Sequence, residues 1–414
     1  MERNNGMDRR KFTTAMAASG ALTALAPFGI ARAQGGKLKV GVLLPRSGFE
    51  ALIGQSCQKG VDLAPEVIKS MLGVDIEIIN ADTESNVNTA RTRAERLIEE
   101  GAHVLVGAFD SGQTVAIAQV AEQRGVPLVV NIAAAPQITE QGYKFVFRNF
   151  PTAGELVKNG LSLIGDLFQA TSIVPRTAVY MHVNDTFGQA MTGGIKAILP
   201  RLTQLPFKIV DTIPYDPAAR DLSVEVSKAK ATNADFLLLV CRLNDSIVLR
   251  REMVKQRWRP MGLIDPGSPG IYEEQFSKSL GKYADYCIDN APWFNPKAEL
   301  THVVEAAFKK HNPKEHFVFH GTNVGYTFEA ILIAADAFKR AGSTNPKALA
   351  DAIRATDIKE RVMLGGPIKF NAKGQVEGNQ SACVQILNGT PKVVLPSFAA
   401  EAKPVFPWPE YKSA

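Results

Sequence analysis

From Lys37 onward the chain alternates between short apolar runs and longer segments whose apolar residues recur every three or four positions. The first kind reads as buried strands and the second as amphipathic helices. Strands are expected over residues 38–44, 75–80, 104–106 and 128–130. Helices are expected over 54–69, 87–100 and 113–123, the last two stopped by Gly101 and Gly125. The alternation then restarts. Helices over 153–169, 187–199, 221–232 and 245–255 interleave with strands over 177–181, 207–210, 236–240 and 261–264. Repeated β-α units joined by short turns specify an α/β fold, an open and mostly parallel sheet with helices on both faces. The restart specifies two such lobes. Further helices over 299–310, 324–341 and 346–355, and a strand and turn over 368–374, follow the second lobe. They imply a chain that crosses between lobes more than once. The tail from Pro396, rich in proline and aromatic residues, is expected to wrap the surface.

The first 33 residues stand outside this pattern. Met7-Asp8-Arg9-Arg10-Lys11-Phe12 is a twin-arginine start, an uncharged Ala-rich stretch follows, and Ala31-Arg32-Ala33 offers a small-x-small cleavage pattern. The expectation is a signal peptide cut after Ala33, hence a periplasmic protein. The net charge is +6, and five basic against two acidic residues of this leader leave +3 for the rest. That is too mild to suggest nucleic acid or an anionic membrane surface. With 45% hydrophobic and 21% charged residues, the composition is that of a soluble globular protein. Cys57, Cys241, Cys287 and Cys383 are widely spaced, show no zinc pattern, and cannot be paired from sequence.

Two consecutive strands end in clusters of small or turn-forming residues: Gly107-Ala108-Phe109-Asp110-Ser111-Gly112 and Asn131-Ile132-Ala133-Ala134-Ala135-Pro136. In open α/β sheets ligands sit at the carboxyl ends of strands. Ser111 opens a helix, whose N-terminus offers free N–H donors and partial positive charge to a carboxylate. Ala133 and Ala134 keep the adjacent backbone accessible. The plainer reading is that Ser111 is an N-cap and the alanines are turn residues.

The stretches "KVGVLLPRSGFEALIGQSCQKGVDLA", "DTESNVNTARTRAERLIEEGAHVLVGAFDSGQT", "AEQRGVPLVVNIAAAPQITEQGYKFVFRNFPT" and "AVYMHVNDTFGQA" carry a family likeness. In their order and spacing the chain resembles the leucine/isoleucine/valine-binding type of periplasmic solute-binding protein, the receptor of branched-chain amino-acid ABC transporters. The resemblance runs from Lys37 to about Lys392. It implies a type I periplasmic-binding-protein fold whose two lobes close on a solute like a hinged clamp. Three crossovers are placed near Phe150, Pro292 and Ile368. Lobe 1 is then 37–149 plus 292–367, and lobe 2 is 150–291 plus 368–414.

The resemblance also implies site residues. The turn holding Asp110 and Ser111 would bind the ligand carboxylate. The following turn, where the family offers a Thr or Ser hydroxyl, has Ala134 beside Ala133. The family's Asp-x-Tyr-Gly turn is Asp185-Thr186-Phe187-Gly188, which keeps the ring and loses the phenol. The acidic partner of the ligand ammonium matches Asp245, which also stands where a helix begins and so suits N-capping. Arg242 is unusual at a clamp mouth. It suits either a second carboxylate or an ion pair between lobes or at the surface. Arg46 and Asp110 are two departures that can pair with each other. Ile53 and Trp293 would wall the pocket, with simple packing as the alternative for Trp293. These departures weaken the amino-acid signature, so an aromatic or aliphatic carboxylic acid or an amide fits as well as leucine.

An enzyme is the competing class, but no dinucleotide fingerprint, Walker loop or G-x-S-x-G elbow is present. His316 and His320 have a helical metal spacing, but Phe317 and Phe319 between them read as strand or loop. No catalysis, metal or cofactor is expected. A third class is the ligand-sensing module of a membrane receptor. The reading reached is a monomeric binding protein that hands a small carboxylate-bearing solute to an ABC permease.

Overall fold

The computed structural model describes residues 36–409. The expected leader, residues 1–33, lies outside the described residues. The first sheet is built from β1 (Leu38–Leu44), β2 (Ile76–Asp82), β3 (Val104–Gly107), β4 (Leu128–Val130) and β5 (Val146–Arg148). Its order is β2-β1-β3-β4-β5, and every pairing is parallel. Three of its connections are the helices α1 (Ala51–Leu72), α2 (Val87–Glu99) and α3 (Ser111–Arg124). The edge strand β2 is half-exposed, whereas β3 and β4 are buried throughout, as parallel strands covered on both faces must be.

The chain then passes into α4 (Ala153–Thr171), which begins with a reciprocal capping box between Thr152 and Glu155. A second sheet follows: β6 (Thr177–Val183), α5 (Thr186–Ile198), β7 (Lys208–Tyr215), α6 (Ser223–Ala231), β8 (Phe236–Val240), α7 (Leu243–Lys255), β9 (Leu263–Asp265), α8 (Glu274–Leu280) and β10 (Ile288–Asp289). After β10 come α9 (Glu299–His311), α10 (Gly321–Ala341) and α11 (Pro346–Arg354). Helix α10 lies along α1 and over β3 and β4 of the first sheet. The hairpin β11 (Cys383–Leu387) and β12 (Thr390–Leu395) then joins the second sheet antiparallel to β10, giving the order β12-β11-β10-β9-β8-β6-β7. The chain thus passes between the two sheet-bearing halves three times.

The connecting segments are bound to one another. Single bridges join Arg148 to Gln375, Pro292 to Ser381 and Phe294 to Met363. The buried Glu329 on α10 anchors them. Its carboxylate accepts from Asn149 Nδ2 (2.9 Å), Arg361 Nη2 (2.9 Å), and the backbone amides of Val362 (2.8 Å) and Met363 (2.9 Å). Arg361 also donates to Asn379 Oδ1 at 3.1 Å, and Asn379 Nδ2 donates to the Asn149 carbonyl at 3.1 Å.

Three expectations need correction or refinement, and some strands were not foreseen. Residues 368–374 form isolated bridges rather than a strand, because Ile368 and Phe370 pair only with Ile358 and Val376. The tail does run over the surface, with Phe398 exposed, but it is anchored by two buried rings, Phe406 and Trp408. Phe406 packs on Phe168 at 5.5 Å, and Trp408 Nε1 donates to the Tyr286 carbonyl. Aromatic rings that size are worth burying wherever a groove accepts them. The short β5 and β10 and the hairpin β11–β12 also escaped the pattern, since two- or three-residue strands carry no periodicity. Finally, the segment between His316 and His320 is a turn of 3₁₀ helix, Phe317–Phe319. The four cysteines are buried and unpaired.

Candidate ligand site between the two sheets

The carboxyl ends of the strands in the two sheets meet. From the first sheet come Glu50, at the start of α1, and Asp110, at the start of α3. From the second come Asp185, which caps α5, and Arg242, the residue before α7. Glycine allows both sides of this junction. A side chain on Gly107 (φ 148°) would lie 2.2 Å from the Leu43 carbonyl oxygen, and one on Gly270 (φ 138°) would lie 2.7 Å from the Arg242 backbone.

Arg242 is the centre. Its Nη2 donates to Asp185 Oδ2 on its own side (2.8 Å) and to Asp110 Oδ2 across the junction (2.8 Å), and its Nε lies 3.3 Å from Asp185 Oδ2. Glu50 Oε1 stands 3.8 Å from Nη2. The guanidinium lies over the Phe187 ring at 4.7 Å and the Phe109 ring at 5.5 Å. A second tie crosses nearby, from Asn244 Nδ2 to the Phe49 carbonyl (2.6 Å). Of the two readings of Arg242, the ion pair between the halves is the one present. Asp110's ion pair is accordingly with Arg242, and the expected Arg46–Asp110 pair is corrected.

Three carboxyl groups thus face one guanidinium, and burial decides how they share its charge. Burial raises the Glu50 carboxyl to about 8, with Asp110 adding to the rise and Arg242 opposing it. Burial also raises Asp110, against the pull of Arg242. For Asp185 burial is outweighed by Arg242 and by the Gly188 amide (2.7 Å), so it stays below the ordinary carboxylate range. Arg242 itself is lowered by burial but raised more by Asp185, Glu50 and Asp110, so it keeps its proton.

The other expected residues fall as follows. Ser111 does not cap α3. Asp110 does, accepting from the Gln113 amide at 2.9 Å. The Ser111 hydroxyl oxygen instead accepts from the amides of Ala134 (3.2 Å) and Ala135 (3.3 Å), which leaves its own proton to donate. Ala133 and Ala134 are buried beside it. Asp245 serves its own half: it accepts the Arg242 amide (2.9 Å) and the Tyr215 hydroxyl (2.7 Å). Burial holds its carboxyl at about 6, against those hydrogen bonds. Ile53 lines a small cavity with Phe49, Glu50, Leu52, Arg242, Leu243 and Asn244. Trp293 packs among Phe294 (5.1 Å) and Tyr272 (5.4 Å) on a connecting segment. His320 is tied to Ser56 Oγ (2.9 Å) and lies 3.1 Å from Glu315, and burial lowers it to about 4.

Sequence reasoning passed over Glu50 and Phe109, and took Asp185 only as part of a turn. One signal was available: an acidic residue in "RSGFEALIG" falls in the turn after the first strand, at the same end of the sheet as Ser111. A second junction was not foreseen either. Asn323 at the start of α10 donates to Glu273, from the segment before α8, and to Ser56 Oγ (3.3 Å).

Residues 37–390 match the family described as periplasmic binding protein. Leu/Ile/Val-binding protein homolog 8 of Brucella abortus (strain 2308) is 24% identical over 401 residues, covering 88% of this chain and 92% of that protein. Homolog 7 of the same strain is 25% identical over 384 residues, with the same two coverages. Among solved structures, LivJ, the branched-chain amino acid transporter substrate binding protein from Streptococcus pneumoniae, in complex with isoleucine, is similar at TM-score 0.74 and 18% identity. The match covers 90% of this chain and 100% of that one. The Rhodopseudomonas palustris ABC transporter solute binding protein in complex with benzoate gives TM-score 0.72 and 20% identity, covering 89% and 98%. At these identities the structures bear on the fold. With the family matched over most of its length, the chain belongs to the periplasmic binding proteins, and its fold is their type I arrangement.

Proposed function

We propose that this protein is the periplasmic solute-capturing component of an ABC importer, and that it closes as a clamp on a small hydrophobic solute bearing a carboxylate. Residues 37–149 with 292–367 form one jaw, and 150–291 with 368–414 the other. Residues 1–33 direct export, and a membrane permease receives the solute. The observation that carries the reading is Arg242, held at the junction of the two sheets and bonded to both sides. Its contacts use Nε and Nη2, so Nη1 faces no competitor among them for a solute carboxylate. The Ser111 hydroxyl and the Ser111 amide supply further donors, the next amides of α3 being engaged by Asp110. Ile53, Phe109 and Phe187 supply apolar contact. Closure excludes water and strengthens each polar contact. The residues have binding roles, with no chemistry assigned to them.

The two rings against Arg242 favour a second reading of the solute, an aromatic acid, which the benzoate complex of a structural relative also supports. A thermal-shift screen of branched-chain and aromatic amino acids, benzoates, phenylpropanoates, dicarboxylates and amides tests both. A ligand at a hundredfold excess over its Kd adds about 2.7 kcal/mol of stability, which such a screen detects. If no small molecule raises the melting temperature, the proposal fails.

A further inference from the structure

Glu50 is 3% exposed, and its carboxyl is half used. Oε2 accepts from Gln113 Nε2 at 2.8 Å, and Gln113 is held in turn by Thr83. Oε1 is buried and has no hydrogen-bond partner among the described residues, 3.8 Å from Arg242 Nη2 and on the wall of the small cavity with Ile53 and Asn244. A buried, unpartnered carboxyl oxygen is costly unless something fills its place. The charges around it decide what. Asp185 before α5 is held below the ordinary carboxylate range and Asp110 before α3 is raised by burial, and among the described residues Arg242 before α7 is the cation that all three carboxyls face. A solute offering only a carboxylate adds negative charge here and leaves Oε1 unmet. One that also carries a protonated nitrogen meets both needs.

We infer that Glu50 is the specificity residue of the cleft, receiving a protonated nitrogen of the solute at Oε1. This rests on the reading of the cleft as the solute site. It assigns the cationic head to Glu50, supported by Asp110, and not to Asp245, whose oxygens are already engaged within the second half. Because burial and Asp110 hold the free Glu50 carboxyl protonated near neutral pH, arrival of the cation ionises it. The carboxyl O–H proton passes to the buffer, and the carboxylate remains paired with the solute nitrogen.

The test is titration calorimetry of the full mature chain with two matched series. One is L-leucine, 4-methylpentanoate and 3-methylbutylamine. The other is L-phenylalanine, 3-phenylpropanoate and 2-phenylethylamine. In at least one series the amino acid binds at least about tenfold more tightly than the nitrogen-free acid, the ratio expected for a charge-assisted hydrogen bond. Binding at pH 7 also releases protons, seen as an enthalpy that differs between phosphate and Tris buffers. Glu50→Gln keeps the Gln113 bond, collapses the ratio and abolishes the proton release. The wild-type ratio decides the matter alone if that variant does not fold. Nitrogen-free acids binding as tightly as the amino acids, or a ratio unchanged in Glu50→Gln, overturn the inference while leaving the solute reading intact. Binding of neither series overturns both.

Discussion

Two buried charge clusters tie this molecule together, and they are built on opposite plans. Around Glu329, one carboxylate meets one guanidinium, one side-chain amide and two backbone amides, so both oxygens are satisfied. Around Arg242, three carboxyls compete for one guanidinium, and Glu50 Oε1 has no hydrogen bond among the described residues. The first cluster joins the segments that connect the two sheets. The second lies where the carboxyl ends of the two sheets meet. A buried network satisfied in full rigidifies, whereas a partly satisfied one marks a place awaiting a partner.

The largest expected effect tests the satisfied cluster. Glu329→Ala leaves Arg361 buried without its carboxylate and two backbone amides without acceptors. Breaking such a pair costs about 3–5 kcal/mol. Urea unfolding should show that loss, with solute preference unchanged in the surviving folded protein. A loss below about 1 kcal/mol would mean the crossovers are held by their bridges instead.

Next in size is Arg242→Met. Solute affinity should fall at least about a hundredfold, equivalent to roughly 2.7 kcal/mol. Stability should also fall, more at pH 8 than at pH 5. Without the guanidinium, Asp110 rises further and Asp185 joins Glu50 and Asp110 as a buried acid whose folded pKa lies above the unfolded value. Their contribution is intact at low pH and is lost as pH rises. Equal losses at both pH values would break the contrast between the clusters.

Most of the fold was legible in the sequence, because the long helices and the fully apolar strands carry strong periodicity. Val87–Glu99 and Phe236–Val240 are examples, found almost to the residue. What escaped was short or non-local. The hairpin that closes the second sheet pairs with a two-residue strand about a hundred positions earlier, and local pattern does not encode such a partner. The site divided along the same line. The turns at strand ends were readable from small residues. Which charge faces which depends on two halves meeting, so an ion pair of Arg242 was left as one of two readings, its partner Asp110, 132 residues away, was paired with Arg46 instead, and Glu50 was not singled out.

A smaller effect isolates Glu50. Its unfolded pKa is that of an ordinary glutamate and its folded value is about 8, so the unfolded chain loses its proton first as pH rises. Stability should therefore decline from about pH 4.5 to about pH 8, with a limiting slope of about 1.4 kcal/mol per pH unit for one proton. Glu273, raised by burial to about 8, adds a parallel decline. Glu50→Gln should remove only the first share, seen as a shallower dependence of melting temperature on pH. An unchanged slope would assign the whole decline to Glu273 and the other buried acids.

The smallest effect concerns Ala134, where relatives were expected to offer a hydroxyl. Its backbone is already committed on both sides: the amide donates to Ser111 Oγ and the carbonyl accepts from the Ala153 amide at 2.8 Å. The turn is therefore fixed without a side-chain hydroxyl. Ala134→Ser adds one neutral donor to a site already governed by charge, so solute affinity should change by less than about fivefold, within roughly 1 kcal/mol. A change beyond tenfold, measured by calorimetry, would move the centre of recognition from Arg242 and Glu50 to the turn after β4. The cluster at the junction would then be a clasp between jaws, with the solute gripped elsewhere along the same cleft.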